Sequence, residues 1–207
     1  QCLNRLNGFF AFCVYDKQEQ TFFIARDRFG VKPLLYLFDE DKFFFGSEMK
    51  SMIAYGIDKE IDFASLYTYL QINYIPGPQT IFKKIKKLMP GHFLKVSRGK
   101  MAIEQYYTIP YNRERAEKNN LPYEHAKERL KELMEESVQK RLVADVSLGC
   151  FLSGGIDSTV ITALASRHKR DLHTFSIGFS DEKFFDETEY AKLAAGHLRT
   201  GHTVFSL

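Results

Sequence analysis

Val146-Ser147-Leu148-Gly149-Cys150-Phe151-Leu152, followed without a break by Ser153-Gly154-Gly155-Ile156-Asp157-Ser158, decides the reading of this chain. The first seven residues are a short apolar run of the kind that forms a buried parallel strand, and Ser158 to His168 reads as a helix. Two adjacent glycines permit a sharp turn and let the backbone approach a ligand with no Cβ in the way. Ser153, Ser158 and Thr159 set hydroxyls beside the positive end of a helix, so a phosphate or pyrophosphate meets donors and a favourable dipole together. Asp157 is the odd member. A carboxylate repels a phosphate unless a divalent cation lies between them, which makes Asp157 the candidate metal ligand, with Mg²⁺ carried on a nucleotide.

The plainer reading is a capped strand-to-helix turn, where Ser, Asp and Gly are ordinary. Five specified positions at roughly 7% usage each match by chance on the order of once in a few thousand such chains, so the strand-loop-helix context favours the phosphate loop. Neither Gly-x-x-x-x-Gly-Lys-Ser/Thr nor Gly-x-Gly-x-x-Gly occurs.

Working outward, Ala126, Leu130, Leu133, Met134, Val138 and Leu142 recur at helical spacing before the loop, and strand 173–178, helix 187–198 and strand 202–207 follow it. Strands alternating with helices predict an α/β unit with a parallel sheet and a ligand at the carboxyl ends of its strands. That rule selects Ile177, at the end of strand 173–178, as an apolar surface for adenine, although core packing explains the residue equally well.

The earlier half has a different texture. Runs at 9–15, 21–26, 34–38 and 42–47 are rich in Phe, Val, Ile and Tyr and are separated by polar or Gly/Pro turns, which predicts an antiparallel meander. A helix at 62–72 and a strand pair at 92–97 and 102–108 follow. These strands are apolar on both faces, so their sheet is expected to be covered on both sides. The fold class is therefore α+β followed by α/β. The polar run Tyr111 to Asn120 supplies the division: residues 1–112 form one domain, 113–122 a linker with Pro122 at a helix start, and 123–207 a second domain.

Composition bounds the function. The chain of 207 residues is 44% hydrophobic and 27% charged, as in an ordinary globular protein, and its net charge of +3 is too small to imply a nucleic-acid partner. The basic run Lys83-Lys84-Ile85-Lys86-Lys87 reads as a solvated strand edge. No apolar run approaches 18 residues and no secretory signal opens the chain. Cys2, Cys13 and Cys150 lack metal-ligand or paired spacing, which fits a reducing cytoplasm. The chain opens at Gln1 and stops in the strand-like run His202 to Leu207, as expected of a fragment.

Residues Ser153 to Ser158 resemble the pyrophosphatase loop of enzymes that cleave ATP between its α and β phosphates. Upstream, Arg26-Asp27-Arg28-Phe29-Gly30-Val31-Lys32-Pro33-Leu34-Leu35-Tyr36, with Asn7 to Phe12, Ser47 to Lys50 and Pro90 to Phe93, is similar to the later part of a class II glutamine amidotransferase domain. Joined in this order, the two resemble the glutamine-hydrolysing asparagine synthetases over nearly the whole chain. Within the Arg26 segment the plain reading is structural: turn residues Gly30 and Pro33 beside an ordinary ion pair of Arg26 with Asp27.

The resemblance implies a four-layer glutaminase domain of the N-terminal-nucleophile type, with one covering layer outside this chain, and an adenine-nucleotide α-hydrolase-like second domain. It implies a cytoplasmic, homodimeric ligase that converts glutamine, aspartate and ATP·Mg²⁺ to asparagine, glutamate, AMP and pyrophosphate through β-aspartyl-AMP. Nucleotide contacts carry over to Leu152, Ser153, Gly154, Gly155, Asp157, Ser158 and Ile177, with Asp157 on the metal. The family's N-terminal cysteine, substrate arginine, Asn-Gly-Glu loop and second pyrophosphate loop have no counterpart here, so no catalytic residue is assigned. Cys2 is followed by Leu-Asn-Arg and does not fit the nucleophile. Related readings are a β-lactam-synthetase-like enzyme, an amidotransferase acting on a sugar or peptide, and a non-catalytic nucleotide-binding relative.

Overall fold

In the computed structural model, which describes residues 2–39, 42–179, 181, 184 and 186–207 (Arg115 by its backbone alone), the chain divides into two compact units, Gln1–Asn112 and Arg113–Leu207. The first opens with a short helix, Cys2–Arg5 (α1), and a hairpin of Ala11–Asp16 (β1) and Thr21–Arg26 (β2). A second hairpin joins Leu35–Asp39 (β3) to Lys42–Gly46 (β4). The expected meander is not formed. β1 and β2 are paired to His92–Ser97 (β6) and Lys100–Gln105 (β7) in the order β1-β2-β6-β7, while β3 lies between β4 and the short strand Lys86–Lys87 (β5) in a second sheet. The turn at residues 27–33 redirects the chain from one sheet to the other, a tertiary event that periodicity does not encode.

The two sheets pack face to face. Ile24, Leu94 and Val96 of the first meet Tyr36 of the second, joined by Leu34 and Leu88. Full burial of side chains such as Ile24 and Leu94 contributes about 1.5–3 kcal/mol each. The second sheet is covered on its other side by Met49–Ala54 (α2), where Met52 closes over Leu35, Leu37 and Ile85. α2 has no counterpart in the sequence reading. The outer face of the first sheet, by contrast, leaves Phe12, Val14, Phe23 and Phe93 along an open trough of about 920 Å³. Phe63–Ile72 (α3) is capped by Asp62, whose carboxylate accepts from Ala64 N. The basic run behaves as a strand edge: Ile85 is buried while Lys83 pairs with Glu60 and Lys84 with Asp39.

In the second unit the run read as a linker holds a short helix, Arg113–Glu117 (α4), supported by the pairs Arg113 with Glu117 and Lys118 with Glu114. Tyr123–Arg141 (α5) leads to Gly149–Phe151 (β8), Ile156–His168 (α6), His173–Gly178 (β9), Thr188–Leu198 (α7) and Gly201–Ser206 (β10). The strands are parallel, in the order β10-β9-β8. β8 is shorter than the apolar run suggested, and α6 begins at Ile156 rather than Ser158. Val138 of α5 packs with Leu164 and Ala165 of α6, and Leu152 packs with Ala191 and Ala195 of α7. Among the described residues no helix is long and apolar enough to cross a membrane.

Candidate functional site: the loop between β8 and α6

The chain leaves β8 through Leu152, whose N–H donates to Phe175 O at 2.8 Å, so the loop starts from the sheet itself. Gly154 then turns at φ +83°, and a Cβ there would lie 2.5 Å from Tyr190 Cβ and 2.7 Å from Ala191 N. Only glycine lets the loop seat against α7. Gly155 caps α6 with no side-chain bond, and Thr159 N donates to Gly155 O at 3.0 Å. The N–H groups of Ile156, Asp157 and Ser158 precede that first intrahelical bond and point out of the helix end, where they and the dipole favour an anion.

The hydroxyls converge on the same place. Ser153 Oγ and Ser158 Oγ are 3.1 Å apart, Ser158 Oγ donates to Gly155 O at 3.2 Å, and Gly155 N donates to Ser153 Oγ at 3.4 Å. These are long bonds on exposed groups, free to exchange for a ligand. Thr159 Oγ1 is shielded from solvent and has no hydrogen-bond partner among the described residues, an unsatisfied donor next to the loop. Asp157 is exposed in the first turn of α6 and takes part in no hydrogen bond or ion pair among the described residues. Those residues hold no cluster of three or more His, Cys, Asp or Glu able to bind a metal by themselves. One carboxylate beside a phosphate site nevertheless fits Mg²⁺, which uses one or two carboxylates plus phosphate oxygens and water.

Beside the loop lies a cleft of about 310 Å³, walled by Phe151, Leu152, Phe175, Ile177 and Phe179 with Ser153, Ser158, Ser176 and Glu187 at its polar side. The structure thus brings Leu152, Ser153, Ser158 and Ile177 together, with Gly154, Gly155 and Asp157 in the adjoining turn. Leu152 is only 1% exposed, its side chain committed to the core. Ile177 is 50% exposed and open to a ligand. Phe151, Phe175, Ser176, Phe179 and Glu187 were missed by sequence reasoning. The first four lie within two residues of Leu152 or Ile177; Glu187 reaches the cleft only because α7 packs on the loop.

The Arg26–Asp27 segment of the first unit is a different object. The expected solvated ion pair is not formed. Asp27 is 1% exposed and accepts from the N–H groups of Phe10, Phe29, Val31 and Lys32 at 3.0–3.4 Å. Burial pushes its carboxyl up, but those four donors more than offset it and hold it below the usual carboxylate range. Arg26 donates instead to three carbonyls, Lys32 O, Leu88 O and Gly30 O. Cys2 is exposed on α1, beside the open trough.

Comparison with known proteins fits both halves. Residues 1–107 match the model described as glutamine amidotransferase domain. The chain belongs to the glutamine amidotransferase family. Residues 129–207 of this amidotransferase chain match the asparagine synthase model, which spans the loop and cleft just described. Glutamine-hydrolyzing asparagine synthetase 3 of Bacillus subtilis (strain 168) is 36% identical over 91% of the chain and 31% of its own length. Glutamine-hydrolyzing asparagine synthetase 1 of the same strain is 34% identical over 96% of the chain and 30% of its own length. Amidase chyE of Penicillium rubens is 28% identical over 95% of the chain and 31% of its own length. The chain therefore spans about a third of the length of these relatives.

Proposed function

We propose that this chain is part of a glutamine-dependent asparagine synthetase, and that the loop at 153–158 holds the pyrophosphate portion of ATP. The observation that carries the reading is the pairing, in one chain, of an amidotransferase match with a strand-loop-helix whose N–H groups and hydroxyls are left for an anion. On this reading the first unit is the later part of a glutaminase domain of the N-terminal-nucleophile type. The second is the start of an adenine-nucleotide α-hydrolase-like domain, and the complete protein is a cytoplasmic homodimer.

The residues present divide the work. The N–H groups of Ile156, Asp157 and Ser158, with the Ser153 and Ser158 hydroxyls, bind the β and γ phosphates and stabilise negative charge as it builds on departing pyrophosphate. They are held in place before the reaction, so little reorganisation opposes them. Asp157 holds Mg²⁺, which supplies charge neutralisation on the phosphates when bound. Ile177, with the neighbouring Phe151, offers the apolar wall for adenine, and Leu152 underlies it from the core. The activated acceptor is then β-aspartyl-AMP, opened by ammonia released from glutamine.

The test is the full-length protein given glutamine, aspartate, ATP and Mg²⁺, with products identified by mass. Asparagine, glutamate, AMP and pyrophosphate are expected. ADP in place of AMP overturns the assignment of the loop, because transfer at the γ phosphate belongs to another loop chemistry. A second reading, a related ATP-dependent amidotransferase with another acceptor, rests on the same pairing of amidotransferase match and loop. AMP without asparagine supports that reading.

A further inference from the structure

The second unit contains a polar network that the loop chemistry does not use. His202 of β10 has both ring nitrogens engaged: Nδ1 lies 2.9 Å from Thr174 Oγ1, and Nε2 lies 3.2 Å from Ser176 Oγ, both on β9. Thr174 is fully buried, and its hydroxyl donates to Gly201 O at 3.1 Å. With that proton committed, Thr174 Oγ1 accepts from Nδ1–H, and the Ser176 hydroxyl donates to Nε2. The network is complete with a neutral imidazole. Ser176 lines the cleft, and the next residue is Ile177, its apolar wall. The end of β9 is further tied to β10 by Leu207 N donating to Gly178 O at 2.9 Å.

We propose that His202 is a positioning residue for this cleft: its neutral imidazole ties the end of β9 into the shape that receives the nucleotide, and protonation loosens that tie and weakens binding. The proposal rests on the reading of the cleft as the ATP site. A proton at Nε2 turns that nitrogen from acceptor to donor, and the Ser176 hydroxyl must find a new acceptor. The added charge is half buried. The ionisable groups that bear on it are His173 of β9 and, across from α7, Lys192, which is itself paired with Glu189. Burial first, then these two groups, pushes the imidazole below its ordinary 6.5. Relief comes from movement of β10 against β9, at the strand end that carries Ser176 and Ile177.

The test uses the full-length protein with ATP·Mg²⁺ as the probe. Affinity is measured by calorimetry from about pH 8 to pH 5.5, the range over which a histidine titrates, for the wild type and for His202→Gln, whose amide keeps a donor and an acceptor without titrating. Because ATP itself titrates in this range, the variant supplies the baseline. For a full coupling of about tenfold, typical between two sites, the wild type is expected to lose up to about fivefold more affinity than His202→Gln by pH 5.5. By reciprocity, ATP·Mg²⁺ must lower the midpoint of the His202 ring resonance by about one pH unit in the wild type. That second measurement stands if the variant fails to fold. Coincident pH profiles, or a resonance unmoved by ATP·Mg²⁺, overturn the role of His202 while the ATP site stands. No binding by the wild type at any pH overturns the nucleotide reading itself.

Discussion

Two loops of this molecule begin alike and end differently. Each leaves a strand, turns at a glycine with positive φ (Gly30 at +66°, Gly154 at +83°) and carries an aspartate within three residues of that glycine. In the loop after β2 the aspartate is inside, and Asp27 and Arg26 between them take four N–H groups and three carbonyls. In the loop after β8 the aspartate is outside, no side chain among the described residues caps the helix, and the hydroxyls make only long bonds, to one another and to the loop backbone. A loop that satisfies its own polar groups is scaffold. One that leaves them open on a helix end is a place for a ligand.

The hardest way to strain this contrast is Asp27→Ala. It leaves four N–H groups without their acceptor in a site closed to water, and is expected to destabilise the first unit by about 3–5 kcal/mol, the range for a broken buried network. Chemical denaturation with a probe in the first unit measures it. The lowered carboxyl also sets a pH dependence: its contribution is present above the ordinary 3.8 and is lost as pH falls below that value through the folded one. Retained stability in Asp27→Ala would mean that the loop is held by something other than its own aspartate.

Gly154→Ala comes next, and Gly155→Ala is its control. At Gly154 a methyl group meets the α7 backbone at 2.5 Å in a left-handed conformation, so a loss of about 2–4 kcal/mol and a displaced α7 are expected. At Gly155 the nearest atom to the added Cβ is Ser153 Oγ at 3.4 Å, ordinary contact, and the cost is expected within about 1 kcal/mol. Thermal unfolding of the pair separates a glycine needed for packing from one that merely precedes a helix. Equal effects would break the assignment of Gly154 to close approach.

What the sequence shows of this molecule is local. The strand-loop-helix at 146–168, the helices at 63–72 and 123–141 and the parallel strands are written in apolar spacing and loop chemistry, so the candidate loop is legible residue by residue. Pairing between distant strands is not. β2 and β3 are eight residues apart and lie in different sheets because Asp27 folds the intervening chain into a buried turn, a cause that resides in three backbone contacts. α4 was hidden for a different reason: a run of charges reads as linker until its i,i+4 pairs are seen on one turn. Glu187 and the His202 network depend on how α7 and β10 sit on β9, which no spacing records.

At the open loop the effects fall on the ligand rather than the fold. Ser158→Ala is expected to weaken ATP use by about 1–3 kcal/mol, the worth of a hydrogen bond to a charged group, with little change in thermal stability because the hydroxyl is exposed. Asp157→Ala should reduce ATP use and shift its Mg²⁺ requirement to higher concentration. ATP–pyrophosphate exchange by the full-length protein reads both, and unchanged exchange in both variants would remove the distinction between this loop and the one after β2.

The smallest effect is expected at Cys2, and it sharpens the contrast from the other side. Its thiol lies exposed on α1, a single short turn beside the open trough of the first sheet, rather than in a closed pocket with a base and oxyanion donors at hand. Gln1 precedes it, so its α-nitrogen is a peptide nitrogen and cannot serve as the base that an N-terminal nucleophile uses. The 207-residue chain is therefore expected to release no glutamate from glutamine above the buffer rate, and Cys2→Ser to change neither that rate nor the unfolding midpoint. Glutamate release abolished by Cys2→Ser would show that the first unit carries chemistry of its own, and that a loop closed on itself is no guide to where this molecule acts.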